Sequence, residues 1–136
     1  MDDRTRINDL FVRYTTALDA GDVATIVGCF TEDGALESPA VGIYAGRQGI
    51  REFAERFAMF RANGSQLRHF ISNLAVQVDG DTARATCYLL NVITKGGKTE
   101  LMPPGRYDCQ LAKVNGDWLF KHRLVVLDGE VKLEGI

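Results

Sequence analysis

Between Asp3 and Ala20, Ile7, Leu10, Phe11, Tyr14 and Leu18 recur at the i, i+3, i+4, i+7 spacing that gathers apolar side chains on one face of a helix. Gly21 follows as a residue able to take the left-handed conformation that closes one. Asp22 can cap a short second helix over Val23 to Cys29, after which Thr31-Glu32-Asp33-Gly34 reads as a turn into a brief extended piece, Ala35 to Glu37. A loop through Pro39, Gly42 and Gly46 leads to a third helix over Gly49 to Arg61. Ile50, Phe53, Ala54, Phe57 and Phe60 fall on one of its faces and Arg51, Glu52, Glu55 and Arg56 on the other. Asn63-Gly64 ends it.

Beyond Gly64 the period drops to two. Leu67 to Val78, Thr82 to Thr94, Gly105 to Val114 and Trp118 to Asp128 are alternating and rich in β-branched residues, which predicts four antiparallel strands. Their joints, Asp79-Gly80-Asp81, Lys95-Gly96-Gly97 and Asn115-Gly116-Asp117, carry residues that accept positive φ. Helices first and strands afterwards is the α+β layout, with helices collected on one face of an antiparallel sheet. The 136 residues suffice for one domain, 1–136, with a core that needs no staples.

Composition narrows the partners. A net charge of −2 and no block of Lys or Arg give no electrostatic reason to bind nucleic acid. The opening Met-Asp-Asp-Arg-Thr-Arg lacks the apolar core of a signal peptide and no run approaches a membrane span, so the expected location is the cytoplasm. Cys29, Cys87 and Cys109 stand far apart among apolar neighbours and read as small buried hydrophobes. With only His69 and His122, and no zinc-binding spacing, neither a metal nor another cofactor is expected.

Candidate chemistry begins with Asp19. It falls in the last turn of the first helix, where the macrodipole disfavours a negative charge, so a donor or cation should lie nearby unless the carboxylate is simply solvated. His69 opens the first long strand and shares strand parity with Ile71, Asn73 and Ala75, a mixed polar and apolar row that suits a pocket wall as well as an exposed edge. Tyr14 sits five residues before Asp19, about 140° around the helix and 7.5 Å along it, so the two can flank one cavity without touching. A core tyrosine would show the same spacing. Tyr107, Tyr88, Asn91 and Asn73 are further strand residues able to present polar groups to a ligand, and Phe53 and Phe57 could supply apolar wall from the third helix. No P-loop, dinucleotide fingerprint, G-x-S-x-G or paired-carboxylate motif occurs.

The stretches I-N-D-L-F-V-R-Y-T-T-A-L-D-A-G-D at 7–22, C-F-T-E-D-G-A-L-E-S-P at 29–39, Y-A-G-R-Q-G-I at 44–50, R-H-F-I-S-N at 68–73, G-R-Y-D at 105–108 and G-D-W at 116–118 resemble, in this order, the SnoaL-like branch of the nuclear transport factor 2-like superfamily. That resemblance implies a cone: a curved antiparallel sheet whose three N-terminal helices close an apolar cavity, usually in a homo-oligomer, with a trimer slightly favoured over a dimer. Scytalone dehydratase, hexachlorocyclohexane dehydrochlorinase and bile acid 7α-dehydratase share an Asp at the end of helix one and a His at the start of the first long strand, and Asp19 and His69 fall at those positions. Tyr14 is similar in placement to a tyrosine of the bile acid enzyme. Ketosteroid isomerase is similar around E-S-P and I-R-E-F, but its general-base aspartate corresponds to Ser38 here.

The resemblance implies catalysis by His69, Asp19 and Tyr14 in a dehydratase-type lyase or isomerase acting without cofactor on a small, mostly apolar cyclic substrate. A polyketide or pericyclic cyclase of natural-product biosynthesis would use the same pocket. A binding module or accessory subunit, similar to the small subunit of ring-hydroxylating dioxygenases, is the reading of another class; fold alone does not choose among them.

Overall fold

The computed structural model describes residues 2–130, and the architecture is mixed α+β as the sequence predicts. Helix α1 (Asp3–Ala20) begins on Asp2, whose side chain accepts from the Thr5 amide at 2.7 Å, and ends on Gly21 at φ 70°. The Gly21 and Asp22 amides donate to the Leu18 and Ala17 carbonyls, which satisfies two of the carbonyls a helix end would otherwise strand. Then come α2 (Val23–Gly28), β1 (Phe30–Ser38), β2 (Gly42–Ala45), α3 (Gly46–Ala62), β3 (Gln66–Asp79), β4 (Thr82–Lys95), β5 (Lys98–Leu101), β6 (Gly105–Val114) and β7 (Asp117–Leu127). The sheet runs β2-β1-β7-β6-β4-β3, with β5 pairing on β4.

Three expectations need correction. The Thr31-Glu32-Asp33-Gly34 stretch lies within strand β1, not in a turn: Phe30 before it pairs with Phe120 of β7 and Ala35 after it with His122, in a parallel ladder whose register is interrupted between the two. The loop before α3 contains β2, paired antiparallel with β1, and α3 starts at Gly46, three residues early. The parity of β3 holds from Leu67 through Ile71 but breaks between Ser72 and Ala75, where Asn73 takes φ 57°. Asn73 and Ala75 therefore point outward and Leu74 and Val76 inward.

Amphipathic α1 lies across the concave face of the sheet. Ile7, Leu10, Phe11, Tyr14 and Leu18 are buried against Phe30, Leu36, Leu111 and Phe120. Its first turn is tied to the β6–β7 hairpin by Asp3, whose Oδ1 accepts from Trp118 Nε1 at 2.9 Å and from Lys113 Nζ at 3.2 Å; these two donors hold the Asp3 carboxyl below the usual range. Its last turn is tied to β3 by Gln66, which donates to the Asp19 and Leu67 carbonyls. Both ends of the helix are thus fixed to strands, and the residues of its last turn are held against the beginning of β3.

Candidate active site

Asp19 and His69 meet where α1 ends and β3 begins. The Asp19 Oδ1 lies 2.5 Å from His69 Nδ1, and its Oδ2 accepts from the His69 backbone amide at 3.1 Å. These are the donors that a carboxylate in the last turn of a helix requires. Because a carboxylate only accepts, Nδ1 is the donor in this contact, and a neutral ring held this way presents Nε2 as its acceptor. The side chains are 3% exposed for His69 and 12% for Asp19, so the pair is largely shielded from screening by solvent.

On the other side of the ring, Asn91 Nδ2 lies 3.3 Å from His69 Nε2. Asn91 belongs to the inward row of β4, with Cys87 and Leu89, and its Oδ1 is buried without a partner among the described residues. Phe57 of α3 packs its ring 6.0 Å from the imidazole and 4.9 Å from Phe53. These groups open on a cavity of about 90 Å³, well below the roughly 300–1,000 Å³ of sites for drug-sized ligands, so its occupant must be small.

Of the residues singled out in the sequence, His69, Tyr14, Tyr107, Asn91, Phe53 and Phe57 line this cavity. Asp19 stands behind His69 as its hydrogen-bond partner. Tyr88 and Asn73 do not take part. Tyr88 is 59% exposed, because it has the opposite strand parity to Asn91 and its side chain projects from the convex face. Asn73 is turned outward by the irregularity in β3. Ser38 also lines the cavity, so the position at which ketosteroid isomerase carries its base presents a hydroxyl here.

Tyr14 is 1% exposed, its edge packed on Phe30 and Phe120. Burial pushes the ionisation of its hydroxyl far above the ordinary phenol range. Burial likewise pushes Tyr107 up to about 12, with the nearby Arg123 pulling the other way. Both phenols are therefore proton donors at neutral pH.

Arg123 is the residue that the sequence reading missed. It is fully buried, with its guanidinium carbon 4.1 Å from the Tyr14 ring centre, 3.6 Å from that of Tyr107 and 4.5 Å from that of Phe120. Strict alternation from Trp118 and Phe120 would send it outward. The register shift opposite Gln110 and Leu111 inserts one residue into β7, so the inward row continues as Arg123, Val125 and Leu127. Counting back from Val125 and Leu127 was the available signal, but Leu124 and Val126 on the other face are equally apolar.

The profile of the SnoaL-like domain family matches residues 1–124. An uncharacterized protein of Mycobacterium tuberculosis is 26% identical over 124 residues, covering 90% of this chain and 83% of its own length. Among solved structures, a protein of unknown function from Mycobacterium tuberculosis superposes with a TM-score of 0.83 at 30% identity, covering 94% of this chain and 73% of that one. ActVI-ORFA from Streptomyces coelicolor superposes at 0.81 with 26% identity, over 92% of this chain and 96% of its own. Helix-closed cavity, strand order and sequence profile agree: the chain belongs to the family of SnoaL-like domains.

Proposed function

We propose that the chain is a lyase or isomerase that moves a proton on a small, mostly apolar cyclic substrate with its own side chains. The observation that carries this reading is the His69–Asp19 contact at 2.5 Å on the wall of an apolar cavity, which leaves Nε2 as the proton acceptor. In the proposed step, Nε2 takes a proton from a carbon next to a carbonyl and the C–H electron pair moves toward the carbonyl oxygen. Asp19 keeps the ring in its tautomer and stabilises the imidazolium that forms. In an elimination, hydroxide leaves the neighbouring carbon with a proton from Tyr14, and the imidazolium later restores that phenol. In an isomerisation, His69 returns its proton to another carbon. SnoaL-like domains include polyketide cyclases and dehydratases, and cyclisation would draw on the same pair.

The test uses β-tetralone, an enolisable ring ketone, in D₂O. Deuterium uptake at the carbon beside the carbonyl, followed by NMR, should exceed the buffer rate by about 10²–10⁴-fold. Uptake at the buffer rate would remove the proton-transfer reading and favour a binding module.

The same proposal includes self-association through the convex sheet face, where Phe70, Tyr88 and Leu90 are 57%, 59% and 37% exposed on neighbouring strands. Light scattering at micromolar concentration should give a multiple of the 15.0 kDa chain mass, and a monomer mass would sink this part. No helix among the described residues is long and apolar enough to cross a membrane.

A further inference from the structure

Arg123 carries a full charge that no carboxylate among the described residues answers. Its Nη1 donates to the Cys109 sulfur at 3.4 Å, a weak acceptor, while Nε and Nη2 are buried with no partner among the described residues. No carboxylate of the described residues lies within ion-pair distance of it. Facing it or within reach of its field are Tyr14 from α1, Tyr107 and Cys109 from β6, Cys87 from β4 and Cys29 ahead of β1. All are neutral at neutral pH, since burial raises the ionisation of every one of them. A guanidinium stays protonated even so.

Burying a cation without an anion is costly, and ring faces repay part of that cost. Two of those rings, Tyr14 and Tyr107, also line the cavity, as does Val125 two residues further along β7. The charge therefore sits one side-chain layer below the cavity floor, in a dry region where its field is weakly screened. A cation held against the face of a phenol also draws electron density from the ring and strengthens its hydroxyl as a donor.

We propose that Arg123, clamped between Tyr14 and Tyr107 beneath the cavity, is a positioning residue that selects ring compounds whose oxygen is anionic or becomes so, namely acidic phenols and enolates. This rests on the proton-transfer reading above and names the substrate class of the same site. Arg123 acts through the two tyrosines: it fixes their rings and biases the cavity toward an oxyanion, while the imidazole, which lines the same cavity, handles the carbon-bound proton.

The test uses para-nitrophenol, whose phenolate absorbs visible light and whose phenol does not, titrated with pH while bound to the intact protein. An apolar pocket without a charge favours the neutral phenol, raising its apparent pKa on binding. Arg123 should lower it by about one unit, a tenfold gain in the phenolate-to-phenol ratio. Arg123→Met should reverse the shift, and Arg123→Lys, which keeps the charge, should retain it. Should Arg123→Met not fold, the sign of the wild-type shift and its retention in Arg123→Lys carry the test. His69→Gln separates this inference from the proton-transfer reading. Retention of the shift there supports Arg123 whatever becomes of turnover, whereas its loss assigns the charge to the imidazole and overturns the proposal. An upward shift in the wild-type protein, an unchanged shift in a folded Arg123→Met, or no binding of either form would overturn it as well.

Discussion

Replacing His69 by Ala should lower the β-tetralone exchange rate by about 10²–10⁴-fold, roughly 3–5 kcal/mol of barrier, with the fold intact. The ring is held on one edge by Asp19 and packed by Phe57, so its removal takes away the base and leaves a void that opens on the cavity. Asp19→Asn should be nearly as damaging. An amide can present its NH₂ to Nδ1, which moves the ring proton to Nε2 and blocks the acceptor. Because the two residues act as one unit, the double variant should lose little more than the worse single. Tyr14→Phe should lose less than either, since it removes one donor and keeps the packing on Phe30 and Phe120. The measurement is the set of exchange rates for both single variants and the double. Losses that add would argue against a coupled pair, and full exchange in His69→Ala would eliminate the base.

The largest effect on stability is expected at Phe120. Its ring is fully buried, meets Phe11 and Tyr14 edge-on at 5.2 Å each, and stands 5.5 Å from Phe30. Its amide donates to the Cys29 carbonyl at 2.8 Å, so the site joins α1, β1 and β7. Phe120→Ala should cost about 3–5 kcal/mol through lost transfer energy and the cavity left behind. Against the roughly 5–15 kcal/mol of a typical domain, that is a large share. Phe120→Leu, which refills most of the space, should recover most of the loss. Urea unfolding should show the midpoint falling with an unchanged slope. A loss below about 1 kcal/mol for the alanine variant would mean that the core does not close around this ring.

The candidate pair was legible because each member sits at an element end that the chain marks plainly. The apolar spacing of α1 and Gly21 put Asp19 in a last turn, and the change of period after Gly64 put His69 at a strand start. Tyr107 and Asn91 were read from their places on strands, and Phe53 and Phe57 from the apolar face of the third helix. The misses share one physical origin. Alternation is a local rule, and a single extra residue in a strand reverses it from that point on. Near Asn73 this turned a proposed ligand contact outward, and near Lys121 it carried Arg123 into the core. The beginning of β1 was hidden for another reason: Thr31, Glu32, Asp33 and Gly34 have turn composition, and only the pairing of Phe30 and Ala35 on either side of them with the distant β7 shows the strand. The strands β2 and β5 are four residues each and lie largely exposed, so neither carries a buried row that composition could reveal.

The kink at Asn73 also divides β3 into two lengths of chain that answer to different demands. Ahead of it, His69 faces the cavity; after it, Leu74 and Val76 face α1 and the core, and the Leu74 carbonyl accepts from Arg4 at 3.1 Å. A continuous strand would bind both lengths to one alternation, so that any insertion made to reshape the cavity would evict the residues that hold the helix. With the kink as an indexing point, descendants of this sequence can revise the ligand-facing length and absorb the slip at residue 73, leaving the helix-bearing length in step.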